Sequence, residues 1–225
     1  FSKNFCGEVN KISKLKTKPA KNFFQGLSSV DNAAELSSAL KNLSTILMKI
    51  SNDLRWMNSG PLTGLGEIEL EALQPGSSIM PGKVNPVVPE AVAMACADVI
   101  GNDVSITVAS QSGNFQLNVM LPLVAYNLLK SINLLGNAMP LLSNKAIKTF
   151  KINAKNINES LSKNPILVTA LNRKIGYGKA ALIAKKAYKE NKAIIDVASE
   201  ETGISKTELK KLLDPSKLTK GGLSG

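Results

Sequence analysis

The sequence predicts an all-α protein, a long-helix bundle followed by a small C-terminal helical domain, and three observations carry that prediction. Leu36, Leu40, Leu43, Leu47, Ile50, Leu54 and Met57 recur at alternating spacings of four and three, a heptad seam. Leu117, Leu121, Val124, Leu128, Ile132, Leu135, Met139 and Leu142 form a second helical stripe. Alternating patterns that would mark strands are weak throughout.

Residues 1–27, with six Lys and one acid, read as a basic, loosely ordered leading segment. Residues 28–57 read as one helix whose seam calls for packing against helices of similar length. Between 58 and 88, Gly60, Pro61, Gly64, Gly66, Pro75, Gly76, Pro81, Gly82 and Pro86 break the periodicity, and such a stretch between helices is where a functional loop is built. A second helix is expected to begin near Pro86 to Pro89, because proline is tolerated in a first turn, and to run through Ala91–Ala109. A third covers about 114–142, with Pro122 marking a kink or a restart. From about 150 the helices shorten and gain charge, punctuated by Asn164-Pro165, Gly176, Gly178, Gly203 and Asp214-Pro215. The bundle domain is therefore placed at 28–150 and the small domain at 151–225.

Composition narrows the function. The net charge of +11 divides into +5 over 1–27, −2 over 28–150 and +8 over 151–225, mostly as scattered Lys without aromatics that would stack on bases. No nucleic-acid partner is expected. The longest uninterrupted apolar runs, Ala91–Ala97 and Val119–Ala125, are far shorter than the roughly 18 residues of a spanning helix, so no membrane partner is expected either. Phe1-Ser2-Lys3 has neither an initiator Met nor a signal-peptide layout and reads as a cut. Cys6 and Cys96 stand far apart and no histidine occurs, which predicts no metal site and two free thiols in a reducing compartment, the cytoplasm or, in a eukaryote, the mitochondrial matrix. Without histidine, proton chemistry must use another group or another chain.

The stretch Gly76-Ser77-Ser78-Ile79-Met80-Pro81-Gly82-Lys83-Val84-Asn85 puts two hydroxyls, a cation and a carboxamide within ten residues. It is not a phosphate-binding Walker loop, since Gly76 and Gly82 enclose five residues and Val84 follows Lys83 where Ser or Thr is needed. What remains suits a carboxylate: Lys83 supplies charge, Asn85 an amide donor, and the following helix a positive dipole end. By spacing alone a structural turn is an equal reading.

The same ten residues match the G-S-x-x-M-x-x-K-x-N signature of the fumarase/aspartase superfamily at every specified position. Ile50-Ser51-Asn52-Asp53-Leu54-Arg55, Val99-Ile100-Gly101-Asn102-Asp103 and Gly113-Asn114-Phe115-Gln116-Leu117-Asn118 also resemble its helix segments. Gly82, where aspartases usually have alanine, and Asn164 to Asn172 followed by Ile175-Gly176-Tyr177 resemble class II fumarases. One departure stands at Leu62, where the family commonly has arginine after Ser59-Gly60-Pro61.

The resemblance implies reversible hydration of fumarate to malate, with no cofactor, by a homotetramer whose sites are shared between subunits. It implies Ser77 as the base, Lys83 and Asn85 as binders of the substrate carboxylate and the intermediate, and Ser78 as a neighbouring binder within the loop. Glu90 matches the position paired with an active-site histidine on the acid side. Family sites take two further segments from other subunits, and neither is in this sequence, so the chain alone is expected to be inactive. An aspartase-type ammonia-lyase and a non-catalytic helical oligomerisation fragment are the alternatives.

Overall fold

Asp31 to Met57 form a single helix, α3, with Asp31 in the first turn and Arg55 in the last complementing its macrodipole. The computed structural model describes residues 1–60, 62–74, 76, 79–80 and 82–219. The chain forms two units, one of Phe1–Ser59 with Leu70–Lys151, the other of Gly60–Glu69 with the residues from Ile152 onward.

In the first unit, α3 packs against α4 (Val87–Ser110), and both pack against α5 (Leu121–Leu142). The buried face of α3 differs from the predicted leucine seam. Ser37, Ser44, Leu47, Ser51 and Leu54 are buried, whereas Leu36 is 44% exposed. The seam shares Leu47 and Leu54 with the prediction, but its other file is serine. Two of the serines meet α4. Ser37 Oγ donates to Asp103 Oδ1 at 2.7 Å, and Lys41 Nζ lies 2.7 Å from Asp103 Oδ2. Ser44 hydrogen-bonds Cys96, whose thiol is pushed up by burial and pulled partly back by that bond. A heptad down α3 is thus matched by a heptad up α4, an antiparallel register. The Ser51 hydroxyl is buried and has no hydrogen-bond partner among the described residues.

By length and an 18-residue mean hydropathy of 1.4, α4 could cross a bilayer. Here it is the middle helix of a bundle, with Asn102 and Asp103 buried and Asn102 Nδ2 donating to Ser131 Oγ of α5 at 3.2 Å. The third helix begins at Leu121, later than the expected 114. Residues 111–120 form a turn held by buried Asn118, which donates Nδ2 to the Ala109 carbonyl at 2.9 Å and accepts the Met120 N–H at 2.9 Å. Pro122 therefore marks a restart. Near its other end α5 contains Pro140 and runs into a π-helical turn, Ser143–Ile147. The leading segment, expected to be loosely ordered, carries α1 (Ser2–Ser13) and α2 (Phe23–Ser28), the latter capped by Asn22 Oδ1 on the N–H groups of Phe24 and Gln25. Neither helix has a buried residue.

The second unit includes β1 (Ile68–Glu69), which pairs with β2 (Lys151–Ile152). It continues through α6 (Ala154–Ser162), a 3-10 helix (Pro165–Leu171), α7 (Asn172–Ile175), α8 (Tyr177–Glu190), α9 (Ile194–Thr202), α10 (Lys206–Leu212) and α11 (Pro215–Leu218). Leu167, Leu171, Ile183, Ile194, Val197 and Leu209 centre its core. Boundaries follow the local chemistry: Asn164, Ser205 and Asp214 cap helix starts, and Asn191 and Gly203 end α8 and α9 at positive φ.

Candidate active site

The loop before α4 is shaped by two glycines. Gly82 sits at φ +80°, a backbone conformation that costs an L side chain about 1–2 kcal/mol. Gly76 is held from both sides. Its N–H donates to the Lys83 carbonyl at 2.8 Å, and its carbonyl accepts from Asn85 Nδ2 at 2.9 Å. A Cβ at Gly76 would stand 2.1 Å from the Lys83 carbonyl oxygen, so this approach is open to glycine alone. Within the loop, Lys83 N–H reaches the Met80 carbonyl at 3.2 Å.

The loop runs into α4 with little slack. Val87 N–H donates to the Asn85 carbonyl at 2.9 Å, and Glu90 N–H to the Pro86 carbonyl at 3.1 Å. Glu90 thereby lands in the first turn of α4, where a carboxylate is favoured by the helix dipole. Behind this start, Leu70, Glu71, Pro86 to Pro89 and the π-turn residues Lys145 and Ala146 enclose a cavity of about 10 Å³. Leu70 is fixed by its N–H, which donates to Asn58 Oδ1 at 2.8 Å just past the end of α3.

Of the residues singled out from sequence, Lys83 is exposed, whereas Asn85 and Glu90 are half-buried. Among the described residues the Lys83 ammonium and the Glu90 carboxylate have no hydrogen-bond or ion-pair partner, so both remain available to a ligand or to another subunit. Asn85 is joined to Gly76, but no hydrogen bond links Glu90 to Lys83 or Asn85. Ser77 and Ser78 fall outside the described residues. Two anchors of this region, the backbone contacts of Gly76 and the Asn58 side chain, were not read from the sequence. Gly76 was legible only as a motif glycine, and nothing in the sequence marks Asn58 as the anchor of Leu70.

Two families match the chain: one described as Lyase over residues 1–101, the other as Fumarase C C-terminus over 167–220. Fumarate hydratase class II 2 of Pseudomonas aeruginosa is 62% identical over 223 residues, covering 99% of this chain and 49% of that protein. The chain belongs to the class II fumarase family. A class II fumarate hydratase of Xylella fastidiosa is 56% identical over 99% of this chain and 47% of its own length. The chain thus spans about half the length of the curated relatives it matches. Among solved structures, a class II fumarase from Schistosoma mansoni matches with TM-score 0.86 and 32% identity, covering 97% of this chain and 49% of that one. The native form of a fumarate lyase:delta crystallin from Brucella melitensis matches with TM-score 0.85 and 41% identity, covering 93% and 47%. The fumarase-type all-α bundle is therefore the fold of this chain as well. Leu62, the position where arginine was expected from the resemblance, is 94% exposed.

Proposed function

We propose that the parent protein interconverts fumarate and malate and that this chain supplies one part of each active site. The observation that supports this most directly is the clasped loop carrying an exposed Lys83, seven residues before Glu90 in the first turn of α4, both without a partner among the described residues.

In this reading Ser77 removes the proton from the malate carbon beside a carboxylate, and the electron pair moves into that carboxylate to give a dianionic aci-carboxylate. Lys83 and Asn85 stabilise it, with Ser78 assisting, because charge that develops in a dry site is best met by donors already in place. The carbon–oxygen bond then breaks and hydroxide leaves as water after protonation from the acid side. Glu90 supports that side together with a histidine from another segment, since this sequence has none. A proton and a hydroxide move and no electrons are transferred, so the reaction calls for no redox cofactor. Lys83 also lowers the cost of an anionic Ser77 by placing a positive charge nearby.

A cytoplasmic homotetramer completes the reading. It is supported by apolar residues left outward on the long helices: Ile46 of α3 is 51% exposed, Met94 and Val104 of α4 are 67% and 60% exposed, and Leu129 of α5 is 60% exposed. Such surface is characteristic of helices awaiting a partner.

The test is an assay of the full-length protein with malate and with aspartate, following the absorbance of the unsaturated product. Turnover of malate and not aspartate is expected, and the reverse would assign an ammonia-lyase. Ser77→Ala should lower kcat by roughly 10²–10⁴-fold, the scale of a lost general base. Unchanged turnover would remove Ser77 from the mechanism.

A further inference from the structure

We propose that Asn85 is a positioning residue for the loop, acting through a clasp on Gly76 as well as on any bound carboxylate; this rests on the reading of the loop as a dicarboxylate site. A carboxamide has two N–H donors and one acceptor oxygen. One donor is committed to the Gly76 carbonyl at 2.9 Å, which leaves one N–H and the oxygen for a ligand. The Gly76 carbonyl belongs to the peptide unit that leads into Ser77, and that unit is planar. Whatever fixes this carbonyl fixes the plane from which Ser77 departs.

The clasp has a second strand, the Gly76 N–H to the Lys83 carbonyl at 2.8 Å, and a foot in α4, the Val87 N–H to the Asn85 carbonyl at 2.9 Å. Asn85 therefore links the residue preceding the base, the residue bearing the cation and the helix bearing Glu90. Gly76 is the matching half. An added Cβ would meet three backbone atoms, the Lys83 carbonyl oxygen at 2.1 Å, its carbon at 2.6 Å and Val84 Cα at 2.9 Å. None of these is a flexible side-chain end, so the clasp cannot form around alanine.

A double-mutant cycle on the full-length protein separates positioning from simple substrate contact. Asn85→Asp, which cannot donate to Gly76, and Gly76→Ala, which leaves Asn85 intact, are measured alone and together for kcat and KM with malate. Each single variant should lose at least roughly ten-fold in kcat, the scale of one lost hydrogen bond. The double variant should lose little more than the worse single one, because both remove the same clasp. Losses that multiply would overturn the proposal. Hydrogen exchange at the Gly76 amide gives a readout apart from activity: it should speed up at least ten-fold in Asn85→Asp, and an unchanged rate would also overturn the proposal. If Gly76→Ala misfolds, exchange in Asn85→Asp decides alone. Should Ser77→Ala retain full turnover while the exchange effect holds, the clasp stands and the hydratase reading falls.

Discussion

Lys83 offers its ammonium to solvent while its backbone carbonyl is tied to Gly76, so the charge is mobile at its tip and anchored at its root. Replacing it with methionine keeps the stem and removes the charge. With malate, Lys83→Met should raise KM and lower kcat/KM by at least roughly ten-fold, because a charge-assisted hydrogen bond is worth about 1.5–3 kcal/mol. Steady-state kinetics on the full-length protein check it. At this scale Lys83 and Asn85 were singled out by residue type within the ten-residue motif, and Glu90 by the family resemblance alone. The clasp was not legible. Which carbonyl Asn85 finds depends on how the chain turns between 76 and 83, and a turn with a glycine at φ +80° admits many closures on paper.

At the scale of elements, the periodicity of α3 was visible, and of its seam Leu47 and Leu54 are buried, Leu40, Leu43, Ile50 and Met57 half-buried, and Leu36 exposed. Hydrophobic pattern favours leucine inward, yet Ser37, Ser44 and Ser51 are buried too, and two of them hydrogen-bond Asp103 and Cys96 of α4. The buried Asp103 carboxylate, its side chain 4% exposed, depends on Lys41 and Ser37. Lys41→Met should therefore destabilise the bundle by about 2 kcal/mol, less than a fully buried pair because Lys41 is 42% exposed. Urea unfolding followed by helical circular dichroism measures it. Exposed Gly101, with open space where a Cβ would go, should behave oppositely. Gly101→Ala should raise the stability of the isolated chain by about 0.5–1 kcal/mol, since glycine is a poor mid-helix residue. The start of α5 escaped the sequence because the apolar stripe runs through Leu117, while Asn118, with three hydrogen bonds, holds a turn there.

At the scale of the molecule, both units carry ion pairs, Lys41 with Asp103 and Lys130 with Asp98 in the first. The second carries ion pairs across α8, α9 and α10: Lys186 with Glu201, Lys192 with Glu190 and Lys206 with Asp196. The hydrogen bond from Lys192 holds Glu190 below the usual carboxylate range, while their acidic partners raise Lys186, Lys192 and Lys206. A lowered carboxylate stabilises above its unfolded pKa and loses that contribution as pH falls through the folded value, here below 4.5. A raised lysine stabilises fully below 10.5 and loses its contribution as pH climbs through the folded value above that. The urea midpoint of this unit should be flat between these limits and fall outside them, with added salt narrowing the effect. For the assembly, sedimentation of the full-length protein should give a tetramer, and the 225-residue chain alone should not turn over malate.

The serine file on α3 has a consequence for anyone who would move this chemistry elsewhere. Sliding α3 along α4 by one heptad would set Ser44 against Asp103 in place of Ser37 but Met48 in place of Lys41, leaving the buried carboxylate without its ammonium, so the two helices keep a single alignment. That alignment also decides how far the first turn of α4 stands from Ser51, and hence where the ten-residue loop is rooted. A designer who grafted Gly76 to Asn85 onto a foreign helix pair would inherit the loop without its ruler. The smallest portable piece is the loop together with both helices and the Ser37, Lys41 and Asp103 contacts that keep them in step.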